Sequence, residues 1–127
     1  MNRMKNQLLK IFLSTAFLLM ISFSSVANKT SVEITAPEKA EKGSEVTLVI
    51  NVKHMGNTSA HFTDWVSIKI NGKEVKRWKY TKKERPEAGN FKLEYKFSLN
   101  EKSTIVVEGN CNKHGSTGSK EVVVDIK

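Results

Sequence analysis

Cysteine, proline, histidine and long apolar runs are all scarce in this chain of 127 residues, which has one cysteine, two prolines and three histidines. A single cysteine excludes a disulfide within the chain and any metal site built from cysteines alone. One apolar run stands out, at residues 11–23, and it is shorter than the roughly 20 residues that a membrane-spanning helix needs. No later segment is apolar for long enough to span a bilayer, and none shows helical periodicity, which excludes a helical bundle.

The N-terminal run has the layout of a secretory signal. Arg3, Lys5 and Lys10 precede it, and small residues occupy the −1 and −3 positions if cleavage follows Ala27. The sequence therefore predicts a signal peptide at residues 1–27 and one exported domain at residues 28–127, for which we expect a periplasmic location. The alternative is an uncleaved N-terminal anchor. Because exported proteins usually pair their cysteines, the lone Cys111 is a buried thiol, an intermolecular bridge or a metal ligand.

The basic charge excess is modest. The chain carries a formal charge of +8, and 18 basic and 13 acidic residues remain from residue 28 onward, a net charge of +5. Seven of these cations fall between residues 73 and 85. We expect no nucleic-acid partner for an exported domain, so this excess forms a solvated face or attracts a small anionic substrate.

After residue 27 the apolar residues alternate in twos. Val46, Leu48, Ile50 and Val52 share one face of a strand, and Asn71-Gly72 follows a second alternating run, which is typical of a hairpin. The pattern predicts seven short strands with turn residues between them, near residues 32–34, 46–52, 66–70, 75–80, 91–97, 104–107 and 122–126. This spacing is typical of an all-β, immunoglobulin-like β-sandwich.

The candidate ligands fall in two loops. His54 and His61 bracket a polar loop after the second predicted strand, and His114 follows Cys111 by three residues. Loops at one end of a sandwich can converge, and thiolate and imidazole suit iron, copper or zinc. We therefore predict one metal site formed by His54, His61, Cys111 and His114.

Two segments carry a resemblance to a known family. Residues 111–115 read Cys-Asn-Lys-His-Gly and resemble the Cys-Asn-x-His-Gly motif of the superoxide reductase (desulfoferrodoxin, neelaredoxin) family. Residues 61–66 read His-Phe-Thr-Asp-Trp-Val and resemble its His-Tyr-Ile-Glu-Trp-Ile segment. His54 then stands where the family has the first histidine of a His-Pro-Met loop. The similarity extends over about residues 32–126.

The resemblance implies an immunoglobulin-like fold and one mononuclear ferrous iron that reduces superoxide to hydrogen peroxide. Cys111 would be the axial ligand, with His54, His61 and His114 equatorial. An unidentified electron donor would return the iron to the ferrous state, and association into homo-oligomers is possible in such a family.

The sequence also departs from the family pattern. The family's fourth histidine maps near Lys29 or Thr30, and its glutamate–lysine pair maps to Ser59-Ala60. Lys113, inside the motif, and the basic run after Lys73 are the two candidates to take over the catalytic part of that lysine.

Two other functions fit the same residues. One is a cupredoxin-like electron-transfer protein, although the loop after Cys111 has no methionine and Met55 lies in the other loop. The other is a binding or carrier module that keeps a metal or thiol site without superoxide activity, since an exposed cysteine can carry a sulfur group.

Overall fold

The computed structural model describes residues 28–127, so the predicted signal peptide at residues 1–27 lies outside the described part of the chain. The fold there is all-β. Within it no helix is long and apolar enough to cross a membrane. The strands are β1 (Ser31–Thr35), β2 (Lys39–Ala40), β3 (Glu45–Lys53), β4 (Thr63–Ile70), β5 (Lys73–Lys79), β6 (Phe91–Ser98), β7 (Ser103–Cys111) and β8 (Lys120–Ile126).

The strands form two sheets that pack as an immunoglobulin-like sandwich. The smaller sheet has the order β1-β3-β6, and the larger has the order β2-β8-β7-β4-β5. The strict alternation of β3 gives it one fully buried face, because every second side chain points to the same side of the sheet. That face belongs to one apolar core with the inward side chains of β4, β7 and β8.

The seven predicted strands are confirmed, with two differences at their boundaries. The segment between the first two predicted strands, where turn residues were expected, contains the two-residue strand β2, which pairs in parallel with the end of β8. β7 runs to Cys111 rather than ending at Val107, so the cysteine is the last residue of a strand and not part of a loop. Gly109, which lacks a β-forming side chain, hides this extension in the sequence.

Gly109 has a packing reason to be glycine. A Cβ atom there would lie 2.8 Å from Thr30 Cγ2 and 3.2 Å from Val32 Cγ1. Thr30 is fully buried, so neighbouring atoms restrict any shift of its methyl group. The absence of a side chain on β7 therefore lets the start of the domain lie close against the larger sheet.

The Asn71-Gly72 hairpin is confirmed. Asn71 has a φ of 51° and Gly72 a φ of 83°, the left-handed values that a tight two-residue β-turn requires. The turn joins β4 to β5, which pair in antiparallel register.

Strand directions bring four chain segments to one end of the sandwich. The antiparallel register places Ser31 of β1 opposite Lys53 of β3, and Thr63 of β4 opposite Cys111 of β7. The hydroxyl of Thr30, next to Ser31, is 2.9 Å from that of Thr63, so both pairs of strand ends lie at the same end of the sandwich. We call this end the ligand pole, because the predicted ligands all lie there.

Candidate metal centre

Three of the four predicted ligands come within reach of a single ion. One ring nitrogen each of His54 and His61 and the Sγ atom of Cys111 all lie within 4.8 Å of one another. The two Nε2 atoms are 3.1 Å apart. His54 and His61 are 50 or more positions from Cys111 in the chain, and the strand register described above brings them close to it.

His54 is the most enclosed of the histidines, with 5% of its surface exposed. Its backbone N–H donates to Asn90 Oδ1 at 3.2 Å. Gly89 lies so close that a Cβ atom there would be 2.5 Å from the His54 carbonyl oxygen. Burial, with a smaller contribution from the charge of His61, lowers the pKa of His54 below its usual 6.5. The neutral imidazole that a metal requires is therefore the favoured form.

His61 lies on a short loop that is fixed from two sides. Its ring covers Gly56, where a Cβ atom would be 2.5 Å from His61 Nδ1. Within the loop, the His61 and Thr58 backbones exchange two hydrogen bonds, of 3.2 and 2.9 Å. The ring is half-buried and faces His54 edge-on.

Asn112 ties this loop to the end of β7. Its Oδ1 accepts the Phe62 N–H at 2.9 Å, and its Nδ2 donates to the Ala60 carbonyl at 3.2 Å. Its own N–H donates to the Phe62 carbonyl at 3.0 Å. One asparagine thus bonds to both neighbours of His61 while standing next to Cys111. The sequence alone did not single out this role, although Asn112 belongs to the motif that the resemblance quoted.

Cys111 is almost fully enclosed, with 1% of its surface exposed. The chain after it closes a tight turn, in which Cys111 and Gly115 exchange backbone hydrogen bonds of 2.9 and 3.0 Å. Gly115 has a φ of 81°, a value that favours glycine. The turn directs the His114 N–H at the cysteine sulfur, at 3.4 Å. The sulfur atom is the donor that Cys111 would offer to a metal.

His114 and Lys113 lie at the rim. The ring of His114 is edge-on to that of His61, with 4.9 Å between centroids, but it is exposed and stands outside the group of three. Lys113 is also exposed, and it takes part in neither ion pair of the described residues. The ligand role of His114 and the catalytic role of Lys113 remain predictions.

The backbone at the start of the domain brings another oxygen to the cluster. The carbonyl oxygen of Asn28 lies 3.3 Å from His54 Nε2 and 3.4 Å from His61 Nε2. This is the region to which the family's fourth histidine maps. No side-chain pattern could reveal it from the sequence, because the donor atom belongs to the main chain.

The spacing of the donors suits a metal ion. With metal–nitrogen bonds of about 2.0–2.1 Å, two ligands are about 3.0 Å apart at a right angle and about 3.4 Å apart at a tetrahedral angle. The observed 3.1 Å between the two Nε2 atoms lies in this range. Imidazole and thiolate together suit iron, copper or zinc, and hence fit the iron that the resemblance implies.

Comparisons with known proteins agree with this architecture. The model of the Desulfoferrodoxin family matches residues 23–118. No curated protein matches the chain in sequence.

Solved structures with a similar fold include a superoxide reductase (neelaredoxin) from Ignicoccus hospitalis, with a TM-score of 0.65 and 18% identity, covering 78% of this chain and 83% of that one. A putative superoxide reductase from Thermotoga maritima has a TM-score of 0.61 and 23% identity, covering 76% and 85%. The sulfur carrier protein SoxY from Chlorobium limicola f thiosulfatophilum is also similar, with a TM-score of 0.53 and 17% identity, covering 76% and 78%.

At these identities the structural matches establish the fold, and the family match establishes kinship over most of the chain. The chain belongs to the desulfoferrodoxin family.

Proposed function

We propose that this protein is an exported mononuclear iron protein that reduces superoxide to hydrogen peroxide at the ligand pole. One observation carries the proposal: His54, His61 and Cys111, distant in sequence, lie within 4.8 Å of one another in a chain of the desulfoferrodoxin family. His54, His61 and Cys111 would hold the iron, with His114 turning in from the rim. Ferrous iron, when bound, supplies the single electron that superoxide takes up.

Neighbouring groups of the protein would set the protonation and the positions of these ligands. Burial keeps His54 neutral, as its lowered pKa indicates. The His114 N–H donates to the Cys111 sulfur, which is shielded from solvent. Asn112 holds the His61 loop against the end of β7 and so preserves the spacing of the two sides of the site.

Charge around the pole favours an anionic substrate. A cleft of about 320 Å³ opens beside His54 and is lined by Lys29 and Lys53. Lys53 is paired with Glu33 at 2.9 Å, which leaves Lys29 as the cation available there among the described residues. Lys113 stands exposed in the turn after Cys111. Positive groups at the entrance raise the rate at which a small anion arrives, and a lysine ammonium can deliver a proton to the departing product.

The alternative functions have weaker support. A thiol carrier needs an accessible sulfur atom. Cys111 is 1% exposed, so this chain shares the fold of a sulfur carrier but has no accessible cysteine among its described residues. A cupredoxin-like copper site needs a weak axial ligand, and Met55 is the methionine nearest to the candidate ligands in sequence. Because Met55 is 76% exposed to solvent, it does not point to such a site.

Export, with cleavage after Ala27 and release to the periplasm, is part of the proposal. It is supported by the charge and apolar pattern of residues 1–27. N-terminal sequencing of the protein recovered after expression of the full chain tests it. A first residue of Asn28 supports cleavage, and an intact Met1 in a membrane fraction indicates an anchor instead.

Activity is tested by stopped-flow mixing of the ferrous protein with superoxide, with hydrogen peroxide measured as product. We expect one peroxide per iron oxidised. Lys113→Ala should slow the reaction and make it less sensitive to salt, whereas Lys102→Ala, an exposed lysine in the turn between β6 and β7, should leave it unchanged. A protein that binds iron but does not react with superoxide would refute the proposed activity.

A further inference from the structure

Three potential donor atoms at the ligand pole form a nearly equilateral triangle. Its corners are His54 Nε2, His61 Nε2 and the backbone carbonyl oxygen of Asn28, and its edges are 3.1, 3.3 and 3.4 Å. Neighbouring ligands of one ion with bonds of about 2.1 Å lie about 3.0 Å apart in octahedral geometry and about 3.4 Å apart in tetrahedral geometry. The triangle therefore has the dimensions of one face of a coordination polyhedron.

The Asn28 oxygen is held in place by its neighbours in the chain. Thr30 is fully buried, and its hydroxyl is 2.9 Å from that of Thr63. The Thr30 N–H donates to the Gly115 carbonyl at 3.3 Å, and the Thr117 N–H donates to the Thr30 carbonyl at 3.0 Å. These bonds fasten the start of the domain to the first residue of β4, two positions after His61, and to the loop that follows Cys111.

We infer that the backbone carbonyl oxygen of Asn28 is a metal ligand, beside His54 and His61. The inference rests on the proposed function only in assuming that the ligand pole binds a metal. A carbonyl oxygen is a hard, neutral donor that first-row divalent ions accept alongside imidazole. Because the donor is a main-chain atom, the side chain at position 28 is free to vary.

The competing interpretation is that the Asn28 oxygen only accepts hydrogen bonds from the two Nε2–H groups. The two interpretations differ in what metal binding does to this carbonyl. A metal that replaces the Nε2 protons would remove those hydrogen bonds, so the ¹³C resonance of a bystander carbonyl moves upfield. Coordination polarises the carbonyl more strongly, so the resonance of a ligand moves downfield.

Selective labelling isolates the relevant signal. With ¹³C-carbonyl asparagine and ¹⁵N lysine, only Asn-Lys pairs give a carbonyl–amide correlation, and the chain has two, Asn28-Lys29 and Asn112-Lys113. Lys113→Arg removes the second signal and so assigns both. Protein obtained by expression of the full chain is titrated with Zn²⁺, which is diamagnetic.

We expect the Asn28 signal to move downfield and to saturate at one Zn²⁺ per chain, and Asn28→Ala to leave the Zn²⁺ affinity within about twofold because the carbonyl remains. Stoichiometric Zn²⁺ uptake with an upfield or unmoved Asn28 signal would overturn this inference and leave the proposed function standing. A chain that takes up no Zn²⁺ and no iron would overturn both. Iron binding without superoxide activity would overturn only the proposed function.

Discussion

Replacing Asn112 by alanine removes the side chain that joins the two sides of the ligand pole. The amide of Asn112 makes two hydrogen bonds to the segment around His61, one from the Phe62 N–H at 2.9 Å and one to the Ala60 carbonyl at 3.2 Å. The backbone bond from the Asn112 N–H to the Phe62 carbonyl does not depend on the side chain. The substitution thus loosens the loop without removing a predicted ligand.

The size of the effect follows from the burial of the partners. Two neutral hydrogen bonds contribute about 0.5–1.5 kcal/mol each, and a buried donor left unpaired costs about 1–3 kcal/mol. Ala60 is exposed, so water can replace its bond, whereas Phe62 is 7% exposed and its N–H is shielded. We therefore expect a loss of about 2 kcal/mol in the free energy of unfolding. For a domain of this length that corresponds to a fall in Tm of roughly 10 °C.

Because His61 loses its support, Asn112→Ala should also weaken Zn²⁺ binding by about 10- to 100-fold, the range seen when groups that orient ligands are removed. Denaturant unfolding of the metal-free protein and competition with a chromophoric chelator measure the two effects. Asn100→Ala is the control, since Asn100 is exposed and its side chain makes no hydrogen bond among the described residues. A change in unfolding free energy no larger than that of the control would refute the reasoning.

Four further substitutions, one of them a compensating change, test the packing. Gly109→Ala, whose Cβ would lie 2.8 Å from Thr30 Cγ2, should lower the unfolding free energy by about 1–3 kcal/mol. Adding Thr30→Ser, which deletes that methyl group, should recover part of the loss, and the idea fails if the two changes are merely additive. Ile50→Ala at a fully buried position should cost about 2–5 kcal/mol in a denaturant titration, and a cost below 1 kcal/mol would contradict its place in the core. Arg77→Ala should cost less than about 1 kcal/mol by the same assay, because the guanidinium stacks on Trp65 at 4.4 Å on a solvated face. A larger loss of unfolding free energy would contradict the interpretation that Arg77 lies on a solvated face.

The strand pattern could be predicted from the sequence mainly because β3 and β6 alternate strictly. β3 has four core side chains in seven residues, and Asn71-Gly72 marks the hairpin without ambiguity. The end of β7 could not be predicted, because Gly109 and Asn110 have low β propensity and are held in the strand by pairing with β4. The strand β2 was also missed, since two residues carry no periodicity.

The candidate site shows a similar division. The types of residue and their positions near strand ends were enough to nominate His54, His61 and Cys111, which the structure brings together, whereas His114, nominated with them, stands outside that group. The contributions of Gly56 and Gly89 could not be foreseen, because each matters for the space it leaves beside a histidine. The Asn28 carbonyl was equally hidden, since a backbone atom has no signature in the sequence and is placed by the fold alone.

The most direct test of the account is the metal content and visible absorption of the purified protein after anaerobic loading with ferrous iron and subsequent oxidation. The account predicts one iron per chain and a thiolate-to-ferric charge-transfer band that is lost in Cys111→Ala. Substoichiometric iron, or a spectrum that Cys111→Ala leaves unchanged, would contradict the claim that the ligand pole is a mononuclear iron centre.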